Sequence, residues 1–332
     1  MLTLRENYLR MLRGEIPEFV PSFFESAFSL GSLAGDAFTT PINAPTGVAY
    51  SPWKVKFVGQ AETNFGAIPE PNNFILHDIT KWRDVIKNPD VSDVDFEKHY
   101  KKVVEGKDRE NLLVSFGGGD YFQTLVSFMG FTEALMAMYE EPEEVYALLE
   151  YVSEYYVKIL KYQLQYGKPD VYMIADDCAA AAAPFFSVDM YKRLIKPFHK
   201  KHADLALESG CLLEKHDCGR SESFIDDWID IGITGWNPAE ITNDLRAIKK
   251  KYVGKLALEG GWDTRARACQ PDASDDELIA AIDEYVDTFA PGGGFMFFVM
   301  AAGKPDDERV QRKGKLINDY FFSNVRDYYK TH

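Results

Sequence analysis

From about residue 110 to the C-terminus the sequence repeats one pattern: a short apolar run, a polar or glycine-rich loop, then an amphipathic segment of helical length. "NLLVSF" runs into Gly117, Gly118 and Gly119. "DVYMIAD" stops at "ADDC", and "CLLEKHD" leads into the helical "SESFIDDWIDIG". "ITGWNP", "KLALEGG" and "GGFMFFVM" continue the series, each with a helical segment behind it. Strands that alternate with helices in this way pair in parallel, because each crossover helix returns the chain to the same edge. The chain has no Rossmann glycine signature and no break between two domains. The expected fold is therefore a closed (β/α)8 barrel, an α/β fold, in one domain spanning residues 1–332, with its regular β/α units over 111–332.

Residues 1–110 belong to the same domain and are less regular. "TLRENYLRMLRGE" has helical spacing at Leu4, Tyr8, Leu9 and Leu12, and "EFVPSFF" reads as a first strand. Residues 26–75 are rich in Gly, Pro, Asn and aromatics. They read as a pocket wall or lid, with a hairpin over 53–67.

The chain is 46% apolar and 14% aromatic, enough for a large core. Its formal charge of −15 repels nucleic acid and anionic membranes, so neither is expected as a partner. No apolar stretch reaches the roughly 18 residues of a membrane span, and charges stand too early for a signal peptide. Four cysteines, Cys178, Cys211, Cys218 and Cys269, do not make a disulfide framework. A cytoplasmic setting is expected, in which thiols stay free to bind a metal.

A barrel enzyme carries its active site at the C-terminal ends of the strands. Those ends gather Asp176, Asp177 and Cys178, then His216 and Cys218, then Trp236 and Glu240, then Glu259. His216 and Cys218, two residues apart on a strand, share a face, and both are zinc ligands. "ADDC" and "KHDC" end consecutive strands about 4.8 Å apart, so Cys178 can reach the same ion. Asp176, Asp177 and Glu259 are the candidate proton-transfer carboxylates. Phe24, Tyr121, Phe122, Trp236 and Phe298 stand near strand ends as candidate substrate contacts. The alanines of "CAAAAAP" allow close approach of a ligand or of backbone.

"VYMIADDCA", "LLEKHDCGR", "GWNPAE", "LALEGGWD" and "APGGGFMFF" together resemble the uroporphyrinogen decarboxylase superfamily over roughly residues 110–325. Within it they are most similar to the zinc-dependent, corrinoid-linked methyltransferases. The resemblance implies a (β/α)8 barrel, in which His216 and Cys218 match the family's His-x-Cys zinc pair. It places Glu240 where related thiol-methylating barrels keep a glutamate near the metal. Those relatives carry a further cysteine after the "GGG" strand, where this chain has "FFVMAAG" around Ala301. The third zinc ligand is then Cys178 or Glu240, with Cys178 the expected substitute for the missing cysteine.

The implied activity is zinc-dependent transfer of a methyl group, from a small donor such as an aryl methyl ether to the cobalt of a separate corrinoid protein. The reverse direction, methylation of a thiol by a methylcorrinoid, uses the same parts. A decarboxylase of the uroporphyrinogen type needs cations for a polycarboxylate, yet residues 14–53 contain no Lys or Arg. A non-catalytic binding protein on the same fold is the remaining alternative.

Overall fold

The structure, a computed structural model, describes residues 2–22, 25, 27–29, 47–59, 67–304 and 306–332, with the backbone alone for 27–29. Ten strands lie among them: β1 (Ala27–Ser29), β2 (Val48–Tyr50), β3 (Lys56–Gly59), β4 (Ala67–Pro69), β5 (Leu113–Gly118), β6 (Val171–Ala175), β7 (Leu212–His216), β8 (Ile233–Ala239), β9 (Ala257–Gly260) and β10 (Phe295–Met296). The larger helices are α1 (Leu4–Leu12), α2 (Trp82–Val85), α3 (Phe96–Val104), α4 (Tyr121–Met129), α5 (Phe131–Glu140), α6 (Pro142–Tyr162), α7 (Val188–Leu194), α8 (Lys196–Glu208), α9 (Ile225–Asp230), α10 (Leu245–Lys251), α11 (Asp275–Phe289) and α12 (Glu308–Tyr320).

Seven strands form one parallel sheet in the order β1-β5-β6-β7-β8-β9-β10. Its ends are tied together just before β1. There Ser22 pairs in parallel with Phe297, whose N–H donates to the Pro21 carbonyl at 2.9 Å. The sheet thus closes into the expected (β/α)8-type barrel, seven of whose strands lie among the described residues. No helix is long and apolar enough to cross a membrane among these residues.

The described residues of the N-terminal region include regular strands. In place of a single hairpin over 53–67, β2, β3 and β4 form a three-stranded antiparallel sheet. Two pairs of adjoining helices, α4 with α5 and α7 with α8, are each divided by one residue. Gly130 adopts φ +88° between α4 and α5, and a Cβ there would lie 2.7 Å from the Phe74 ring. Pro197, in the first turn of α8, separates that helix from α7, since proline lacks the N–H that would extend the earlier helix.

Two cores result. α1, capped by the Thr3 hydroxyl on the Glu6 N–H at 3.1 Å, buries Tyr8, Leu9, Met11 and Leu12 against Leu113, Val171, Ala257 and Met296. It therefore plugs the barrel at the N-terminal ends of the strands. The larger core fills the layer between strands and outer helices, where Tyr172, Leu213, Trp236 and Leu258 lie. Strand alternation decides which layer each residue enters. On β7, Leu213 and Lys215 face the helices, while Glu214 and His216 face the barrel interior.

Candidate metal centre at the barrel mouth

His216 is the last residue of β7, Cys218 stands two residues later, and Asp177 lies two residues beyond β6. One ligand atom from each lies within 4.8 Å of the other two. His216 Nε2 is 3.8 Å from Asp177 Oδ1 and 3.8 Å from Cys218 Sγ. Ligands held about 2.0–2.3 Å from a tetrahedral zinc stand about 3.3–3.8 Å apart, so the observed spacing and the N, O, S donor set fit that ion. Among the described residues this is the one group of three or more His, Cys, Asp or Glu side chains so arranged. The side chains of His216 and Asp177 are 34% and 39% exposed, which leaves the trio open at the mouth.

The local backbone builds this arrangement. The Cys218 N–H donates to Asp177 Oδ1 at 2.9 Å, tying the two loops together. Gly219 then turns the chain at φ +84°, and a Cβ there would lie 2.6 Å from the Ala179 carbonyl oxygen. The Arg220 N–H donates to the Ala180 carbonyl at 2.9 Å. The alanine run therefore admits the neighbouring backbone.

Burial lowers the pKa of His216, against the pull of Asp177, so the ring is neutral and can offer a lone pair. Burial, with the charges of Asp177 and Glu240, pushes the Cys218 thiol up to about 12. A bound dication reverses that preference and draws the thiolate form.

A column of polar groups descends from His216 along the barrel axis. His216 Nδ1 lies 3.3 Å from Asn237 Oδ1. Asn237 Nδ2 donates to Glu259 Oε2 at 3.1 Å. The Tyr8 hydroxyl lies 2.7 Å from Glu259 Oε1 and 2.8 Å from Glu214 Oε1. Burial raises both carboxyl groups, and the charge of Glu259 lifts Glu214 further. Glu259 is held down by hydrogen bonds from Glu214, Tyr8 and Asn237. Glu214 therefore keeps its proton and Glu259 accepts from three donors.

The remaining expected site residues separate into distinct places. Cys178, expected as the third ligand, stays outside the trio: it is fully buried, its N–H donates to Asp217 Oδ1 at 3.1 Å, and burial raises its thiol. Glu240, the other expected ligand, is also outside it. It lines a cleft of about 290 Å³ beside Trp262, Asp263 and Phe298. The third member of the candidate trio is Asp177, expected from the sequence as a proton-transfer group. Asp176 turns away from the mouth, accepting from the Phe122 and Gln123 N–H groups at 2.8 and 3.0 Å at the start of α4. Glu259 sits below the mouth at 1% exposure, with Tyr8 and Asn237 as partners.

Three of the expected substrate contacts pack in the core instead. The Tyr121 hydroxyl bonds His202 Nε2 at 2.9 Å, and Phe122 packs among Phe131, Phe185 and Phe186. Trp236 packs on Trp228 with ring centroids 5.6 Å apart, and its indole N–H donates to the Asp217 carbonyl at 3.0 Å. Phe298 does line the cleft, and Phe24 lies outside the described residues. Sequence reasoning missed Asn237 and Tyr8. The alternation after Trp236 is the signal that could have found Asn237.

The family model for uroporphyrinogen decarboxylase (URO-D) matches residues 68–301. Among curated proteins, the uroporphyrinogen decarboxylase of Helicobacter pylori (strain ATCC 700392 / 26695) is 30% identical over 166 residues, covering 47% of this chain and 45% of that protein. The same enzyme of strain HPAG1 is 29% identical over 166 residues, with the same coverage. The chain thus matches less than half the length of these curated relatives. Among solved structures, a methyltransferase from Methanosarcina mazei superposes with a TM-score of 0.60 at 14% identity, covering 97% of this chain and all of the other. At that identity the likeness establishes the fold.

Proposed function

Because this chain belongs to the uroporphyrinogen decarboxylase family, we propose that it is a zinc-dependent methyltransferase, moving a methyl group from an aryl methyl ether or similar donor to the cobalt of a separate corrinoid protein. The observation that carries this reading is the Asp177–His216–Cys218 trio, open at the C-terminal end of the barrel. The methyltransferase from Methanosarcina mazei, whose fold this chain shares, agrees with it.

In this reading His216 Nε2, Cys218 Sγ and an Asp177 oxygen would hold the ion, and the open mouth beside them would admit substrate. Zinc, when bound, supplies Lewis acidity toward the ether oxygen of the donor. One thiolate among three ligands preserves that acidity, whereas two thiolates would favour a nucleophilic thiolate substrate. Cys178 is buried away from the trio, and Ala301 stands where thiol-methylating relatives carry their further cysteine, so demethylation is the favoured direction. The cleft beside the trio, with Trp262, Phe298 and Met300 in its wall, would take the apolar part of the donor. The corrinoid protein would dock over the same mouth.

Metal analysis of anaerobically purified protein, together with a spectroscopic assay of methyl transfer from aryl methyl ethers to cob(I)alamin, tests the reading. About one zinc per chain with transfer is expected. No zinc and no transfer would refute it.

The curated relatives favour a second reading, decarboxylation of uroporphyrinogen. Its polycarboxylate substrate requires cations, and residues 14–53 carry no Lys or Arg. We predict no turnover of uroporphyrinogen in a porphyrin fluorescence assay. Turnover at enzyme-like rates would restore that reading.

A further inference from the structure

We propose that Asn237, anchored by Glu259, is a positioning residue that locks His216 in the tautomer carrying its proton on Nδ1, so that the Nε2 lone pair faces Cys218 and Asp177. The sheet register makes this possible. His216 on β7 and Asn237 on β8 are direct Cα partners, and both side chains enter the barrel interior side by side.

The chain of orientation starts at the bottom of the column. Glu259 Oε1 meets the Tyr8 hydroxyl at 2.7 Å, and Oε2 meets the Asn237 amide at 3.1 Å. A carboxylate oxygen accepts only, so the amide must present its NH₂ group to Glu259. Flipping the amide would set oxygen against oxygen and lose that bond. Asn237 Oδ1 is thereby aimed at His216 Nδ1, 3.3 Å away. An amide oxygen cannot donate, so Nδ1 must carry the hydrogen. In a neutral ring Nε2 is then unprotonated, and it is this nitrogen that lies 3.8 Å from both Cys218 Sγ and Asp177 Oδ1.

The opposite tautomer would put a proton into the trio and oppose two lone pairs at Asn237. Partners of this kind fix ring orientation and tautomer for a metal-binding histidine. The consequence for zinc rests on the proposed metal centre, but the tautomer itself does not.

The experiment reads the tautomer directly, on metal-free full-length protein labelled with 15N-histidine. Two-bond proton–nitrogen correlations distinguish the two neutral forms, and a His216→Gln variant identifies the His216 signals. The wild-type ring is expected in the Nδ1–H form. Asn237→Leu removes the acceptor, and Glu259→Gln lets the amide turn over. Both should shift His216 toward the Nε2–H form while circular dichroism stays unchanged. Zinc affinity should fall about 10–100-fold in each, as for other lost partners of metal-binding histidines. A wild-type ring in the Nε2–H form, or a ring unmoved in both folded variants, would overturn the inference. An Nδ1–H ring that responds to both variants, in a protein that takes up no zinc, supports the tautomer lock and removes the metal reading alone.

Discussion

Two sets of charged groups meet at the same strand ends, one behind the strands and one inside the barrel. The outer set is buried: Asp176, Lys215 and Asp217 are at most 1% exposed, with His199 beside them. Lys215 Nζ donates to the carbonyl oxygens of Asp176 and His216 at 2.8 and 2.6 Å and lies 3.5 Å from Asp217 Oδ2. Burial pushes Asp120, Asp176 and Asp217 each up to about 7, and the Lys215 charge opposes this. The inner set starts from the buried Glu214–Glu259 pair and ends in the half-exposed trio. Neighbours in sequence are divided between the two: Asp176 from Asp177, Lys215 from His216, Asp217 from Cys218, Trp236 from Asn237. A buried ionic layer shapes the loops, and an open one presents His, Cys and Asp donor atoms at the mouth. The difference shows that acid and histidine content at a strand end does not by itself place a side chain at the mouth; the side on which each residue emerges does.

The largest effect expected from breaking this contrast is on the inner side. Cys218→Ser should reduce zinc from about one per chain to nearly none, while circular dichroism remains that of the folded barrel. Asp177→Ala should weaken zinc binding strongly, and Cys178→Ser should leave it intact. Zinc loss in Cys178→Ser with retention in Asp177→Ala would return the third ligand to the cysteine suggested by the sequence.

On the outer side the effect should fall on stability. Lys215→Met leaves the neighbouring carboxyl groups with no cation among them. Removing one partner of a buried ionic group typically costs about 3–5 kcal/mol. A fall of that order in urea unfolding is expected, with zinc content per folded chain unchanged. A stable variant that has lost its zinc would erase the distinction between the two layers.

The barrel was legible in the sequence because strand and helix alternate with clear punctuation from "NLLVSF" onward. His216 and Cys218 were legible because a spacing of two keeps them on one face, whichever face that is. The choice between Asp176 and Asp177 was not. Strands of a parallel barrel are buried on both sides, so neither face shows the polar pattern that would set the parity. The same ambiguity put Trp236 forward in place of Asn237. Glu259 faces the interior, but its depth below the mouth depends on how β9 is staggered against β8, where the register shifts between Trp236 and Ala239. The plug formed by α1 brings Tyr8 to Glu214 and Glu259 across more than 200 residues, which no local pattern could reveal.

The smallest predicted effect separates the two layers by pH. His202 on α8 lies in the outer layer, with Nε2 2.9 Å from the Tyr121 hydroxyl and Nδ1 2.9 Å from the Tyr172 hydroxyl. Burial, with smaller contributions from His199 and Lys201, lowers its pKa to about 3. In the unfolded chain the ring titrates near the ordinary value of about 6.5. As pH falls the unfolded state takes up this proton first, so the native state loses ground. The contribution is fully present above about pH 6.5 and is lost progressively toward pH 3. His202→Gln removes the titrating group and keeps a donor and an acceptor, although its shorter reach will lower stability at pH 8. Between pH 6 and 4 the variant should therefore lose stability less steeply than the parent, by up to about 1.4 kcal/mol per pH unit. Urea midpoints at pH 8, 6, 5 and 4 for both proteins test this, since carboxylates common to the two cancel in the difference. Parallel curves would mean that His202 is charged in the folded barrel, and the outer layer would then not be the closed, neutral-histidine layer that sets it apart from the mouth.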